Sequence, residues 1–162
     1  MSSKINPPQV AILMGSKSDA ETMSLAEAVL DDFGVSYETR ILSAHRTPHE
    51  TSAFVQEAEE RGTQVFIAGA GYAAHLAGVV AAHTIRPVIG VPLDSSPLAG
   101  LDALYATVQM PGGIPVATVA IGAAGAKNAG LLAVQILSGQ HQELQDKLHA
   151  YRDKMRASVL GS

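Results

Sequence analysis

Val10-Ala11-Ile12-Leu13-Met14 is a run of five apolar residues with no polar residue between them. A strand wetted on one side alternates apolar and polar residues, so this run predicts a strand buried on both faces. Such a strand needs helices above and below it, which confines the chain to an α/β design with a mostly parallel sheet. The next residues agree. Gly15-Ser16-Lys17-Ser18 turns the chain into a helix that Ser18 is placed to cap, with Glu21 completing a capping box. Met23, Ala26, Leu30 and Phe33 form the apolar stripe of that helix, and Gly34 ends it.

The alternation repeats along the chain. Residues 36–42 read as a second strand, and residues 48–61 as a helix closed by Gly62. Val65-Phe66-Ile67-Ala68 is a third strand, leading through Gly69-Ala70-Gly71-Tyr72 into a helix that runs to Thr84. Val88-Ile89-Gly90-Val91 is the fourth strand. Past Pro92 the pattern weakens. Residues 101–108 suggest a short helix, 109–115 a Gly/Pro loop, 117–121 a fifth strand and 126–137 a fifth helix. Residues 140–158 form a charged terminal helix with one stripe, Leu144, Leu148, Tyr151 and Met155. Residues 1–8 are a polar lead-in, and no linker or internal repeat interrupts the chain. The expectation is one doubly wound, flavodoxin-like α/β domain of three layers over residues 1–162, with a mostly parallel five-stranded sheet. Its core spans 8–138, and 139–160 is a C-terminal helix expected at an interface. For five strands the order 2-1-3-4-5 is expected.

Composition narrows the function. The chain is 47% apolar and 16% charged, with three Phe, four Tyr and no Trp, so the core must come from Ala, Val, Ile and Leu. A formal charge of −4 and the lack of a basic run argue against nucleic acid. Without Cys there is no disulfide, thiolate metal site or Cys nucleophile. The most apolar long stretch, 117–137, is broken by Lys127, Asn128 and several Gly, which reads as strand plus helix and not as a membrane span. With no signal-like leader, the expected compartment is the cytoplasm. Residues 75–84 contain no Asp, Glu, Lys or Arg, and 126–137 only Lys127. Helices apolar nearly all round need cover on every side, so a homo-oligomer is expected.

The chemistry should lie in the loops after the first three strands, which a parallel sheet gathers at one edge. In Ser43-Ala44-His45-Arg46-Thr47-Pro48, Thr47 suits an N-cap, Pro48 the first helical position, and Glu50 a capping box. His45 and Arg46 then sit in a strand-to-helix turn, a titratable imidazole beside a permanent cation. The first and third loops precede helix N-termini, which favour anions. The dipole contributes only ~0.3–1 kcal/mol per charge, so a phosphate site also wants a cation and hydroxyls. Arg46, Ser16 and Ser18 can supply them. Asp19 suits ribose hydroxyls, or else is simply an acid in a helix's first turn, and Lys17 reads as a solvated loop residue. The six His form no metal motif. His45 and His49 straddle the start of a helix, His141 and His149 lie on the polar terminal helix, and His83 reads as a cap or interface residue. His75 is either a pocket residue or a buried structural one. Gly69-Ala70-Gly71-Tyr72-Ala73-Ala74 matches a dinucleotide fingerprint with Asp94 downstream, but it follows the third strand, and no chain remains for a hydride-acceptor domain.

Together these loops resemble the N5-carboxyaminoimidazole ribonucleotide mutases, the bacterial-type phosphoribosylaminoimidazole carboxylase catalytic subunits of purine synthesis. The matching residues are Met14-Gly15-Ser16-Lys17-Ser18-Asp19, Ser43 to Pro48, Gly69-Ala70-Gly71, Ala73-Ala74-His75-Leu76 and Gly78. They continue through Val88 to Pro92, Gln109 to Thr118 and Asn128 to Ala133, covering nearly the whole chain in register. The resemblance implies a cofactor-free, metal-free carboxyl migration on a small ribonucleotide, from the exocyclic amine of an aminoimidazole to ring carbon four. It implies His45 as the acid/base, with Ser16, Ser18 and Arg46 on the phosphate and Asp19 on the ribose. Ser43, Ala44, Gly71, His75 and Leu76 would shape the substrate pocket. It further implies a homo-octamer in which the loop 109–115 reaches a neighbour's site. Tyr72, Ala77 and Val79 stand where the family usually has Gly, Pro and Met. If position 72 needs a positive φ, Tyr is strained there, and its bulk is expected to hinder the pocket. Two other readings are a carboxylase taking carbon dioxide directly onto aminoimidazole ribonucleotide or a related nucleotide, and a non-catalytic oligomer that binds phosphoribosyl ligands.

Overall fold

A computed structural model describes residues 7–161 of the chain. Of the expected lead-in, residues 1–6 lie outside the described residues. The buried run is strand β1, Val10–Met14, with every residue buried. It lies between β2 (Tyr37–Ile41) and β3 (Val65–Ala70), and the sheet continues through β4 (Val88–Pro92) to a short β5 (Ala117–Thr118). The order is β2-β1-β3-β4-β5, all parallel. Met14 pairs with Ile41 on one side and Gly69 on the other, so the first three strands end level.

Alternate residues of β1 feed two separate cores. Val10, Ile12 and Met14 join one, with Met23, Leu30 and Phe33 from α1 (Ala20–Phe33) and Ala129, Ala133 and Val134 from α5 (Gly122–Ser138). Ala11 and Leu13 join the other, with Phe54 and Val55 from α2 (Pro48–Arg61) and Leu76 and Val80 from α3 (Leu76–Ala82). The result is the three-layer, flavodoxin-like α/β fold that the periodicity predicts. A fourth helix, α4 (Leu101–Val108), follows β4, and α6 (Gln142–Leu160) closes the chain. Its stripe docks on the first core through Leu144, Leu148 and Tyr151, with the Tyr151 ring 5.9 Å from that of Phe33. Met155 stays exposed. Among the described residues no helix is long and apolar enough to cross a membrane.

Several local expectations are corrected. Neither capping box forms. Ser16, not Ser18, receives a backbone N–H, because a 3-10 turn over Lys17–Asp19 precedes α1, whose N-cap is Asp19. Thr47 is the N-cap of α2 but makes no capping bond there, since its hydroxyl turns back into the loop before it. β5 is shorter than expected, and α5 starts at Gly122 rather than Ala126. In the middle of α5, Gly130 lets two helices touch: a Cβ there would come within 2.9 Å of the Ala26 carbonyl of α1. Each apolar helix is covered within the chain on part of its surface, α5 against α1 and α6 and α3 against β3 and β4, while Ala123, Ala124 and Ile136 of α5 and Ala82 of α3 stay exposed.

Candidate active site

The level strand ends bring their following loops to one edge, where they enclose a cleft of about 620 Å³. All ten residues singled out from the sequence line it: Ser16, Ser18, Asp19, Ser43, Ala44, His45, Arg46, Gly71, His75 and Leu76. Lys17 is exposed and outside the lining. His49, His83, His141 and His149 are likewise exposed and outside it. No group of three or more His, Asp or Glu converges as metal ligands among the described residues.

The first loop is a compact hydroxyl cluster. Ser16 Oγ accepts the Ser18 N–H at 3.3 Å and the Ser18 hydroxyl at 3.0 Å. Behind it Asp19 is only 7% exposed. Burial pushes its carboxyl above the ordinary value, against the opposing pull of the Ser16 N–H, the Ser18 hydroxyl and the Arg46 charge. The carboxylate is buried behind the loop and lines the cleft.

The second loop is closed by Thr47. Its hydroxyl accepts the Ser43 N–H at 2.8 Å and donates to the Ser43 carbonyl at 3.1 Å. Ser43 Oγ in turn accepts the Arg46 N–H at 3.1 Å. The turn that carries His45 and Arg46 is thereby cinched at both ends. Arg46 Nη2 donates to the Gly15 carbonyl at 3.0 Å, tying the second loop to the first. A guanidinium has five N–H donors, so most remain free for an anion. Arg46 is the single Lys or Arg in the lining.

The third loop shows where the dinucleotide fingerprint goes instead. Gly69 belongs to β3, and a Cβ there would lie 2.3 Å from Met23 Sδ, so this glycine serves packing of α1 on the sheet. Gly71 lets the loop approach the strand beside it, since its Cβ would meet Ser95 Oγ at 2.2 Å. Asp94 is exposed and outside the cleft. Tyr72 does adopt a positive φ, 55°, which for a non-glycine residue costs about 1–2 kcal/mol. That turn lets the Ala74 N–H reach the Tyr72 carbonyl at 2.9 Å, and the His75 N–H the Ala73 carbonyl at 2.7 Å. His75 emerges at the head of α3, exposed rather than buried. Its Nδ1 lies 2.7 Å from His45 Nε2, with the rings edge to face and centroids 4.8 Å apart. At that distance one nitrogen carries hydrogen and the other accepts it, so each ring fixes the tautomer of the other.

Ser95 lines the cleft and was not singled out from the sequence. The signal was available: the fourth parallel strand must end at the same edge, and Asp94-Ser95-Ser96 follows it directly. The whole arrangement offers hydroxyls and a guanidinium, suited to an anion. In the same cleft it offers a hydrogen-bonded imidazole pair, suited to proton transfer.

Known proteins are similar along nearly the full length. The family model described as AIR carboxylase matches residues 9–158. A Vibrio cholerae protein named N5-carboxyaminoimidazole ribonucleotide mutase is 58% identical over 151 residues, covering 93% of this chain and 94% of its own. The protein of the same name from Escherichia coli K12 is 52% identical over 160 residues, covering 99% of this chain and 95% of its own. The crystal structure of Treponema denticola PurE matches with a TM-score of 0.86 at 33% identity, covering 94% of each chain.

Proposed function

Since the chain belongs to the AIR carboxylase family, we propose that its cleft interconverts N5-carboxyaminoimidazole ribonucleotide and 4-carboxy-5-aminoimidazole ribonucleotide. The activity is that of a mutase, an isomerase of purine biosynthesis, as its relatives are named. The observation that carries the reading is the junction of an anion site and an imidazole pair in one cleft, with Arg46 tied to Gly15 and His45 to His75.

In this reading the phosphate lies against Ser16, Ser18 and the free donors of Arg46. Charge-assisted hydrogen bonds of this kind are the strong ones. Asp19 takes the ribose hydroxyls, for which a carboxylate on the lining is a ready acceptor. The base then extends toward Ser43, Ala44, Gly71, His75 and Leu76. His45 donates a proton to the exocyclic nitrogen as its bond to the carboxyl carbon breaks, releasing carbon dioxide within the cleft. Ring carbon four, electron-rich from the amine, attacks that carbon dioxide and forms the new carbon–carbon bond. His45 then removes the proton on carbon four, and aromaticity returns. One imidazole serves both steps because it leaves each cycle in its starting form. His75 holds the ring of His45 in orientation and tautomer. No cofactor has a part in this scheme.

We further propose a homo-octamer in the cytoplasm, with the Gln109-to-Pro115 loop at a neighbour's site and α6 near an interface. Large apolar side chains stand exposed on α4 and the segments beside it, Leu101, Tyr105, Val108 and Ile114 among them, and these support association.

The test is incubation with the carboxyamino isomer in buffer containing labelled carbon dioxide. Interconversion without label in the product is expected. Label entering as the main route would replace the mutase by a direct carboxylase, and binding without conversion would leave only a ligand-binding oligomer.

A further inference from the structure

Tyr72 is the residue of the cleft that nothing inside the chain explains. Its left-handed backbone, φ 55, is required by the turn that delivers His75, and glycine would serve that turn without strain. The turn therefore accounts for the backbone and not for the side chain. The ring is 57% exposed, and among the described residues it has no hydrogen-bond, ion-pair or ring partner. It nonetheless lines the cleft, in the loop that contains Gly71 and delivers His75. Strained backbone collects at ligand clamps and persists where something else compensates for it. A ring kept at strain on the lining of the cleft, with no partner in its own chain, is free to meet a bound ligand.

We propose that Tyr72 is a specificity residue whose ring covers the base end, lying against the planar imidazole of the bound ribonucleotide and keeping water out. The proposal rests on the mutase reading. There the nitrogen–carbon bond breaks, the amine keeps the donated proton, and free carbon dioxide waits beside ring carbon four. Recapture makes the product; escape leaves aminoimidazole ribonucleotide. A flat aromatic wall favours recapture by holding the imidazole and by excluding solvent from the gap. This revises the expectation of hindrance, since a ring more than half exposed stands at the rim and does not fill the cleft.

The test compares the full-length protein with Tyr72→Gly and Tyr72→Phe in three measurements: affinity for aminoimidazole ribonucleotide, the fraction of turnovers that release it, and thermal midpoint. Tyr72→Gly is expected to weaken binding by about 2–12-fold, the range of an aromatic pair. It should also raise the released fraction while the midpoint holds or rises, because glycine relieves the backbone. Tyr72→Phe, which keeps the ring, should recover binding and containment relative to glycine. A rise in kcat/KM for Tyr72→Gly with no added release would make the ring an obstacle and overturn the proposal. So would dissociation of the assembly with binding per site unchanged, which would put the ring against another copy. Failure of the parent protein to interconvert the isomers would sink the mutase reading alone, and the affinity comparison would still decide Tyr72.

Discussion

Replacing Thr47 by Val keeps the shape of the side chain and deletes its oxygen. That oxygen accepts the Ser43 N–H at 2.8 Å and donates to the Ser43 carbonyl at 3.1 Å. The carbonyl keeps another donor, the Thr47 N–H at 2.9 Å, while the Thr51 hydroxyl at 3.3 Å is shared with the nearer Thr47 carbonyl at 2.8 Å. The Ser43 N–H has no second acceptor among the described residues. The net loss is one half-buried donor left unpaired, about 1–2 kcal/mol. At roughly 2–4 °C per kcal/mol for a chain of this size, Tm should fall by about 2–8 °C. The effect on turnover should be larger than that on binding. Ser43 Oγ holds the Arg46 N–H, so slack at Ser43 passes directly to His45 and Arg46 between them. A misplacement on the order of 1 Å costs up to about 10²-fold in rate. We expect Thr47→Val to lower kcat by ~10–100-fold with a smaller change in KM, and Thr47→Ser to restore both. Steady-state kinetics and calorimetry on the two variants decide it. A Val variant with parental kcat, or a Ser variant no better than Val, refutes the view that this hydroxyl sets the loop.

His45→Asn should abolish turnover, by ~10²–10⁴-fold or more, while ribonucleotide affinity by titration changes only a few-fold; retention of most of the kcat would remove His45 from proton transfer. Arg46→Ala should weaken the ribonucleotide by about 10–100-fold and leave the dephosphorylated nucleoside nearly unaffected; equal losses for both would mean that Arg46 acts through its bond to Gly15 instead. Asp19→Asn should raise the Tm of the ligand-free protein at neutral pH and weaken ribonucleotide binding. The sign follows from burial, which raises the folded-state pKa. Asp19 therefore favours folding in acid and loses that contribution as pH rises through its folded pKa. The stability gap between variant and parent should widen from acid to neutral pH in melting curves, and a gap that narrows would show that Asp19 is stabilised as the anion.

The sheet was legible because burial on both faces leaves an uninterrupted apolar run, and Val10–Met14 admits little else. The gathering of Ser16, Arg46, His45 and His75 in one cleft followed from that, since parallel strands must end at the same edge. What escaped was set by contacts that sequence spacing does not encode. Thr47 and Glu50 stand at capping-box spacing, yet the hydroxyl finds Ser43 instead, because the preceding loop offers both a donor and an acceptor at shorter reach. The first turn of α5, from Gly122 to Gly125, was missed because two glycines there break the apolar pattern, yet Gly125 is what lets the helix pass the Ala120 carbonyl. Ser95 was missed because the pattern frays after Pro92, where the only guide is topology. The His75–His45 contact could not be read at all: it depends on a turn of a few residues whose φ values decide where an imidazole points.

The pairing of α1 with α5 also sets a schedule. α1 is finished early in synthesis and its partner nearly last, and between them come four of the five strands, β2 to β5. The sheet face built by Val10, Ile12, Val65 and Ile67 is covered only in part, by α1, until residues 122–138 have left the ribosome. Long-range parallel pairing is slow to form, and uncovered apolar faces are where growing chains stick to one another. His45, Arg46 and His75 are all translated well before that point. A chain stalled inside α5 thus carries every residue that lines the cleft on a sheet whose first core lacks Ala129, Ala133 and Val134.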